Sequence, residues 1–276
     1  MKLYLETEDF SVSGEKFQLV HDEELDMLKT HPRPEELESY YQSASYISHS
    51  DADRTFTEKL YQAVKKFSLW VKVRMIARFV HNKNKSLLDV GAGTGDFLVQ
   101  AKNTGWFVNG VEPSLDARLK SREKKVELVS SLEDVKGQKF QVITLWHVLE
   151  HLPNLESDIE KLNLLLEENG TLVIAVPNFK SFDADHYQEF WAAYDVPRHL
   201  WHFSSNAIKE IFAKHGFGLI KRKPMWFDAF YVSLLSEKYK TGKQNFLRAF
   251  YIGTRSNIMG LLTGEFSSAI YILRKL

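Results

Sequence analysis

Three groups of residues in this chain have types and spacings that could do chemistry. The first is Leu87–Asp96, which reads LLDVGAGTGD. Gly91, Gly93 and Gly95 let the backbone turn tightly and approach a ligand with no Cβ in the way. If a helix follows, its free N–H groups point at the same place. The dinucleotide fingerprint G-x-G-x-x-G would need a third glycine where Asp96 stands. An acidic residue there also meets a pyrophosphate with like charge. Glu112, about twenty residues on, can accept hydrogen bonds from both hydroxyls of a ribose. These residues point to an adenosine ligand that is not a dinucleotide.

The second group is His147, Glu150 and His151, spaced i, i+3, i+4, which share one face of a helix. Imidazole and carboxylate together suit several divalent ions. Pairs at helical spacing are also common without ligation, so no metal is expected, and Glu150 and His151 are read as orienting the segment through backbone hydrogen bonds. His147 remains a candidate general base, since histidine titrates near neutrality. The third group lies in Asp195–Ser204, DVPRHLWHFS. Arg198, His199 and His202 stand among Trp191, Tyr194, Trp201 and Phe203. Aromatics with a few polar groups are what a small-molecule pocket offers. His199 and His202 join His147 as candidate bases, Arg198 is set against an anionic acceptor group, and Tyr194, Trp201 and Tyr46 are candidate acceptor contacts. Equally weighted is a packed lid whose histidines satisfy local carbonyls.

These residues need a frame. Leu60, Val64, Phe67, Val71, Ile76 and Phe79 recur at helical spacing over 54–81. Strand and helix patterns then alternate: strands at Ser86–Val90, Phe107–Val111, Val126–Val129, Phe140–Leu145 and Thr171–Val176, with helices at Asp96–Asn103, Ser114–Lys125 and Asp158–Glu168. His147–Leu152 also reads as helical. After the aromatic segment come a helix at Asn206–His215 capped by Ser204 or Ser205, a strand at Leu219–Pro224, helices near 228–240 and 244–260, and a last strand at Ser268–Leu273. This order predicts an α/β fold, a parallel sheet with helices on both faces. The 36 basic and 36 acidic side chains balance, which argues against a nucleic-acid partner. The chain has no cysteine, so disulfides, thiolate metal sites and cysteine nucleophiles are excluded. No signal peptide and no apolar run of about 20 residues is evident, so a cytoplasmic protein without a membrane span is expected. Oligomeric state is left open.

Leu87–Leu98, Val111–Pro113 and Val142–Leu152 (VITLWHVLEHL) together resemble the successive motifs of class I S-adenosylmethionine (SAM) methyltransferases, nearest to the subgroup of ubiquinone-biosynthesis O-methyltransferases. The resemblance covers roughly 55–224. It implies a Rossmann-like, mostly parallel seven-stranded sheet whose last strand is antiparallel. It also implies that Asp89, Gly91, Ala92, Gly93 and Gly95 embrace the methionine part, that Glu112 and Pro113 hold the ribose, that Ser131 and Leu132 flank the adenine, and that Trp146 lines the pocket. In some relatives a Glu-x-x-Glu-His run is implicated in metal use; His147 replaces its first glutamate here. Relatives often begin with a zinc ribbon carrying two cysteine pairs. Residues 17–41 keep that outline without the ligands, Asp22 and Leu25 standing about where one pair would be, so a metal-free strand pair is expected, followed by a cluster of Tyr40, Tyr41, Tyr46 and His49 that either forms a lid over the cofactor or simply packs against the core. The expected organisation is an N-terminal extension over 1–53 and a catalytic domain over 54–276 with a lid at 178–204. The expected activity is SAM-dependent methyl transfer to a small-molecule hydroxyl with a histidine base. Transfer to nitrogen, carbon, a lipid-linked glycan or a protein, a non-catalytic cofactor-binding module, and an NAD-dependent oxidoreductase are the alternatives.

Overall fold

A computed structural model describes residues 2–41, 56–80 and 85–276. The chain opens with three antiparallel strands, β1 (Lys2–Glu8), β2 (Lys16–Asp22) and β3 (Met27–His31), then helix α1 (Phe56–Ile76). The α/β succession follows: β4 (Ser86–Val90), α2 (Asp96–Lys102), β5 (Phe107–Val111), α3 (Leu115–Glu123), β6 (Phe140–Trp146), α4 (Leu155–Leu165) and β7 (Leu166–Pro177). Then come α5 (Phe182–Tyr187), β8 (Trp201–Phe203), α6 (Ser205–Lys214), β9 (Phe217–Pro224), α7 (Asp228–Thr241), α8 (Phe246–Thr263) and β10 (Ser268–Lys275).

The main sheet runs β5-β4-β6-β7-β10-β9. Its first four strands are parallel, and β10 is antiparallel to both neighbours. Alternate residues of each strand feed two separate cores. Leu88, Ile143, Leu172 and Leu273 face α4 and α6, meeting Ile159, Leu162, Ile208 and Phe212. Leu87, Val142, Val173 and Ile272 face the other way, against Ile76 of α1 and Phe97 and Leu98 of α2. Burial on both faces explains why these strands read as continuous apolar runs.

Two local expectations shift. Val126–Val129 contributes to the sheet only through a bridge from Val129 to Val111, because the Val126 amide is committed to the Ser121 carbonyl at the end of α3. The seventh position of the sheet is thus a single residue pair. The helix expected at Asp158–Glu168 begins earlier, after Asn154, and ends at Leu165, where β7 starts. Phe140 pairs with Leu166 and Val142 with Thr171, so the segment containing Asn169 (φ 62°) and Gly170 bulges out of the register between them. His147–Leu152 carries only a short 3₁₀ turn, Leu149–His151, rather than a helix.

The N-terminal segment makes a fuller sheet than the expected strand pair. β1, β2 and β3 pair in succession, and β3 takes β8 from the lid segment as a fourth strand. Asp22 closes the turn before β3, accepting from the Leu25 amide (3.2 Å) and Lys29 Nζ (2.8 Å). Phe17, Leu19 and Leu28 pack on Trp191 and Tyr194 of the lid and on Val232 and Ile252 of α7 and α8. The extension and the lid therefore share one core. The expected boundary at 53/54, with Tyr46 and His49, lies outside the described residues.

Arg198 ties this junction together. Its guanidinium donates to Asp195 (2.7 and 3.1 Å), Asp9 (2.9 Å), Ser11 Oγ and the Tyr40 carbonyl (2.9 Å), and the residue is 1 % exposed. Burial alone would raise the Asp9 carboxyl, but hydrogen bonds from Arg198 and the Ser13 and Ser11 amides bring it down to about 2. Removing one partner of a buried ion pair strands the others, so Arg198→Ala is expected to cost about 3 kcal/mol or more in denaturant unfolding. A loss within experimental error would show that the triad does not hold the lid. Because the folded Asp9 pKa lies below its ordinary value, this contribution is present above pH 4 and lost as pH falls through about 2.

Candidate cofactor and active site

The glycine loop sits where β4 hands over to α2, at the carboxyl edge of the parallel strands, where open α/β sheets bind ligands. Gly91, Gly93 and Gly95 all have positive φ. A Cβ on Gly91 would collide with Val148, which leads from the end of β6 into the Leu149–His151 turn. The close helix–strand approach that a third loop glycine gives in dinucleotide folds comes here from Gly110 on β5, whose missing side chain admits Leu98 and Leu128. Glu112 braces the loop: one carboxylate oxygen accepts from the Gly93 amide (2.8 Å), the other from the Ser114 amide (2.9 Å). A carboxylate has about four acceptor positions, so both oxygens keep capacity for ribose hydroxyls. Ser131 caps the 3₁₀ turn Leu132–Val135 in a capping box with Asp134, and Leu132 packs on the main core.

Asp89, at the end of β4, is buried and accepts from Thr144 Oγ1 (2.5 Å). Burial raises its pKa to about 7, against the Thr144 hydrogen bond and the charge of Lys72. Lys72 comes from α1, lies over the Trp146 ring (4.2 Å to the centroid), and is itself lowered by burial. The Trp146 indole N–H is buried without an acceptor among the described residues. Seven residues before Lys72 on the same helix, Lys65 reaches Asp96 (2.7 Å), which Lys124 also meets (2.7 Å). The charge of Asp96, read from sequence as repelling a pyrophosphate, is thus neutralised, and the glycine spacing alone carries that exclusion. A carboxyl with a raised pKa, a spare indole donor and an open glycine loop fit the ammonium, sulfonium and adenosine parts of SAM. Linear reading missed Lys65, Lys72 and Thr144. The only signal of the two lysines was their seven-residue spacing, which any solvated helix face can show, and Thr144 had none.

His147 differs from its expected role. It adopts a left-handed backbone (φ 57°) and its ring lies between two carboxylates, Asp228 of α7 (3.1 Å) and Glu150 (3.4 Å). Burial opposes its charge, but the hydrogen bonds and charges of Asp228 and Glu150 outweigh that and lift its pKa to about 10. At neutral pH the ring already holds the proton that a base must be free to take. Glu150 is held down at about 2: burial would raise it, and His147 together with the charges of His199 and His151 lowers it.

His151 and His199 pack edge to face (4.6 Å between centroids). The Nδ1–H of His151 donates to the Arg198 carbonyl (3.0 Å) and that of His199 to the Ala193 carbonyl (2.9 Å). Burial, and then the neighbouring His199, lower His151 to about 4. Glu150, His151 and His199 bring one ligand-capable atom each within 4.8 Å of one another. Two imidazoles anchored on carbonyls beside a carboxylate can pass protons or hold a divalent ion; the sequence reading, which expected no metal, had no way to bring His199 to this pair.

The remaining candidates are spent on structure. Thr30 Oγ1 gives its one hydrogen to the His199 carbonyl (2.6 Å), so His202 Nε2 must be the donor to Thr30 (3.0 Å). Burial, reinforced by His199, keeps His202 neutral. Arg198, set against an anionic acceptor, is instead satisfied by Asp195, Asp9, Ser11 and Tyr40, as above. Tyr194 is buried against Trp191 and His202. Trp201 donates to the Leu152 carbonyl (2.7 Å) and lines a shallow groove of about 350 Å³ with Val20, Lys29 and Leu200.

The charged state of His147 has a measurable consequence. Its folded pKa stands above its ordinary value of 6.5, so the stabilisation it brings is complete below pH 6.5 and is lost as pH rises through about 10. His147→Gln is expected to lower the denaturation midpoint at pH 6, with the gap to the native chain closing toward pH 10. An imidazole proton signal for His147 that titrates near pH 6.5 would contradict this arrangement.

The model of the methyltransferase domain family matches residues 61–222, more than half of the chain. Among curated proteins, a ubiquinone biosynthesis O-methyltransferase of Glaesserella parasuis is 31 % identical over 108 residues, which are 34 % of this chain and 46 % of that protein. One from Coxiella burnetii is 27 % identical over 123 residues, 41 % of this chain and 53 % of that protein. The match spans about half the length of these relatives. In structure, the chain resembles magnesium protoporphyrin IX methyltransferase from Synechocystis PCC 6803 with bound S-adenosylhomocysteine, at TM-score 0.56 and 13 % identity, covering 86 % of this chain and 97 % of that one. Over its doubly wound sheet the chain matches a known family, and it belongs to the class I SAM-dependent methyltransferases.

Proposed function

We propose that this enzyme transfers the SAM methyl group to a hydroxyl oxygen of a small-molecule acceptor, with His199 taking the hydroxyl proton. The observation that carries the reading is the placement of His199 beside ionised Glu150, with Val148, two residues before Glu150, in contact with Gly91 of the cofactor loop. The methyl group is already activated in the sulfonium, so the enzyme's task is an in-line approach of the acceptor and removal of one proton. With Nδ1–H fixed on the Ala193 carbonyl, the lone pair of His199 sits on Nε2. Glu150 then stabilises the imidazolium that forms. His151 is the neighbour through which the proton can leave, while His147 and His202 act as positioning groups. Oxygen as the acceptor atom rests on the likeness to O-methyltransferases.

A labelled-cofactor screen of small hydroxyl compounds against the native chain would identify the acceptor. With it, His199→Gln is expected to lose about 10²-fold or more in kcat, while S-adenosylhomocysteine affinity changes less than twofold. Native-like turnover in both His199→Gln and His151→Gln would sink the assignment.

Asp89 gives a second test. A cationic ligand beside a carboxyl with pKa about 7 pulls that pKa down and displaces a proton. SAM affinity is therefore expected to rise between pH 6 and 8, with proton release visible by calorimetry in buffers of different ionisation enthalpy. Asp89→Asn should flatten the profile; a flat profile in the native chain would place the cation elsewhere.

A further inference from the structure

The α7–α8 hairpin, inserted between β9 and β10, has its polarity reversed. The buried side of α8 is lined mainly by small or polar residues, Ala249, Gly253, Ser256, Asn257 and Gly260, with Ile252 alone bulky. A Cβ on Gly253 would meet Phe230 of α7, so this small face lets the helices pack closely. The opposite side presents Leu247, Phe250, Tyr251, Ile258, Leu261 and Leu262, all more than half exposed, with Leu247 at 86 % and Leu262 at 76 %. These positions recur at three, four and seven residues and form one apolar stripe along the helix. Phe230 stacks on Phe250 (5.4 Å), and Phe227 and Tyr231 are exposed as well, so α7 widens the stripe. A surface helix ordinarily turns such a stripe inward; one left outward marks an interaction site.

The charges select the occupant. From Trp226 to Thr263 the chain carries five basic side chains, Lys238, Lys240, Lys243, Arg248 and Arg255, all exposed. Its two acids are withdrawn: Asp228 faces His147 and Glu237 is buried against Tyr187 and Arg248. The whole chain is electrically neutral, so this basic excess is local. We infer that the hairpin docks in the surface of an anionic lipid bilayer, α8 lying in the interfacial plane with its stripe among the acyl chains and its lysines and arginines at the headgroups. Aromatic and leucine side chains on one face with a basic border are the make-up of interfacial helices. No helix among the described residues is long and apolar enough to cross a membrane, and α8, apolar on its outer side and small or polar on its buried side, suits a helix lying along the surface. A second copy fits less well: a two-fold pairing would set the basic border against itself with no exposed carboxylate to meet it.

The test is co-sedimentation of the full chain with vesicles of phosphatidylcholine alone or mixed with phosphatidylglycerol. Binding is expected to the mixed vesicles, to weaken with salt, and to drop about tenfold in two separate variants. One is Leu247→Ser/Phe250→Ser/Leu262→Ser; the other is Lys238→Gln/Lys240→Gln/Lys243→Gln. Every changed side chain is exposed, and unchanged S-adenosylhomocysteine binding reports an intact fold. The inference is overturned if the native chain stays in the supernatant with phosphatidylglycerol vesicles, or if both variants bind as well as the native chain. It is equally overturned if light scattering finds a dimer that the serine substitutions split while vesicle binding is absent.

Discussion

Arg198 is the constraint on which the upper half of the molecule depends. A guanidinium does not shed its proton under burial, so a fully enclosed arginine dictates its surroundings. Here it fixes Asp9 and the turn after β1, the Tyr40 carbonyl before α1, and Asp195 at the entrance to its own loop. Its backbone carbonyl holds His151, and its neighbours in sequence are His199, then β8. The lid is therefore built outward from one charge. The histidines at its base keep their orientation because their carbonyl partners belong to a segment that this charge immobilises.

Below the lid, the site floor is a run of alternating charges: Asp89, Lys72, Asp228, His147 and Glu150. Each has a neighbour of opposite sign, and α1 and α7 each supply one member. This explains why two histidines four residues apart differ so much. His147, between carboxylates, is held as a cation, whereas His151, enclosed and next to another imidazole, is held neutral. The division of labour lies in their surroundings rather than in residue type.

The glycine loop, the strands that frame it and the two helices after β9 were legible in the sequence because each rests on local pattern: glycine spacing, apolar runs bounded by breakers, and helical periodicity. The start of β7 was not, since Asn169 and Gly170 look like a helix stop and in fact form a bulge that only pairing with β6 reveals. Nor were the roles of Arg198, His202 and Tyr194. An aromatic, basic segment has the composition of a pocket whether its polar groups face a ligand or one another, and that choice is made by Asp9 and Thr30, which lie far away in the chain. Asp96 offers a similar lesson. Its identity was informative, but its charge was cancelled by Lys65 of α1 and by Lys124, just past the end of α3.

The order of strands in the main sheet bears on how the protein is made. β10 is the last strand in the chain, yet it sits inside the sheet, between β7 and β9. During synthesis β9 has no partner to join until the hairpin of α7 and α8 and then β10 have left the ribosome. One edge of β7, the row Thr171–Pro177, stays open for the same interval. Open strand edges invite pairing with other chains. The nascent chain thus carries an apolar helix stripe and an unfinished sheet at the same moment, which makes this late stage the point at which a chaperone, or a surface for the stripe to rest on, would matter most.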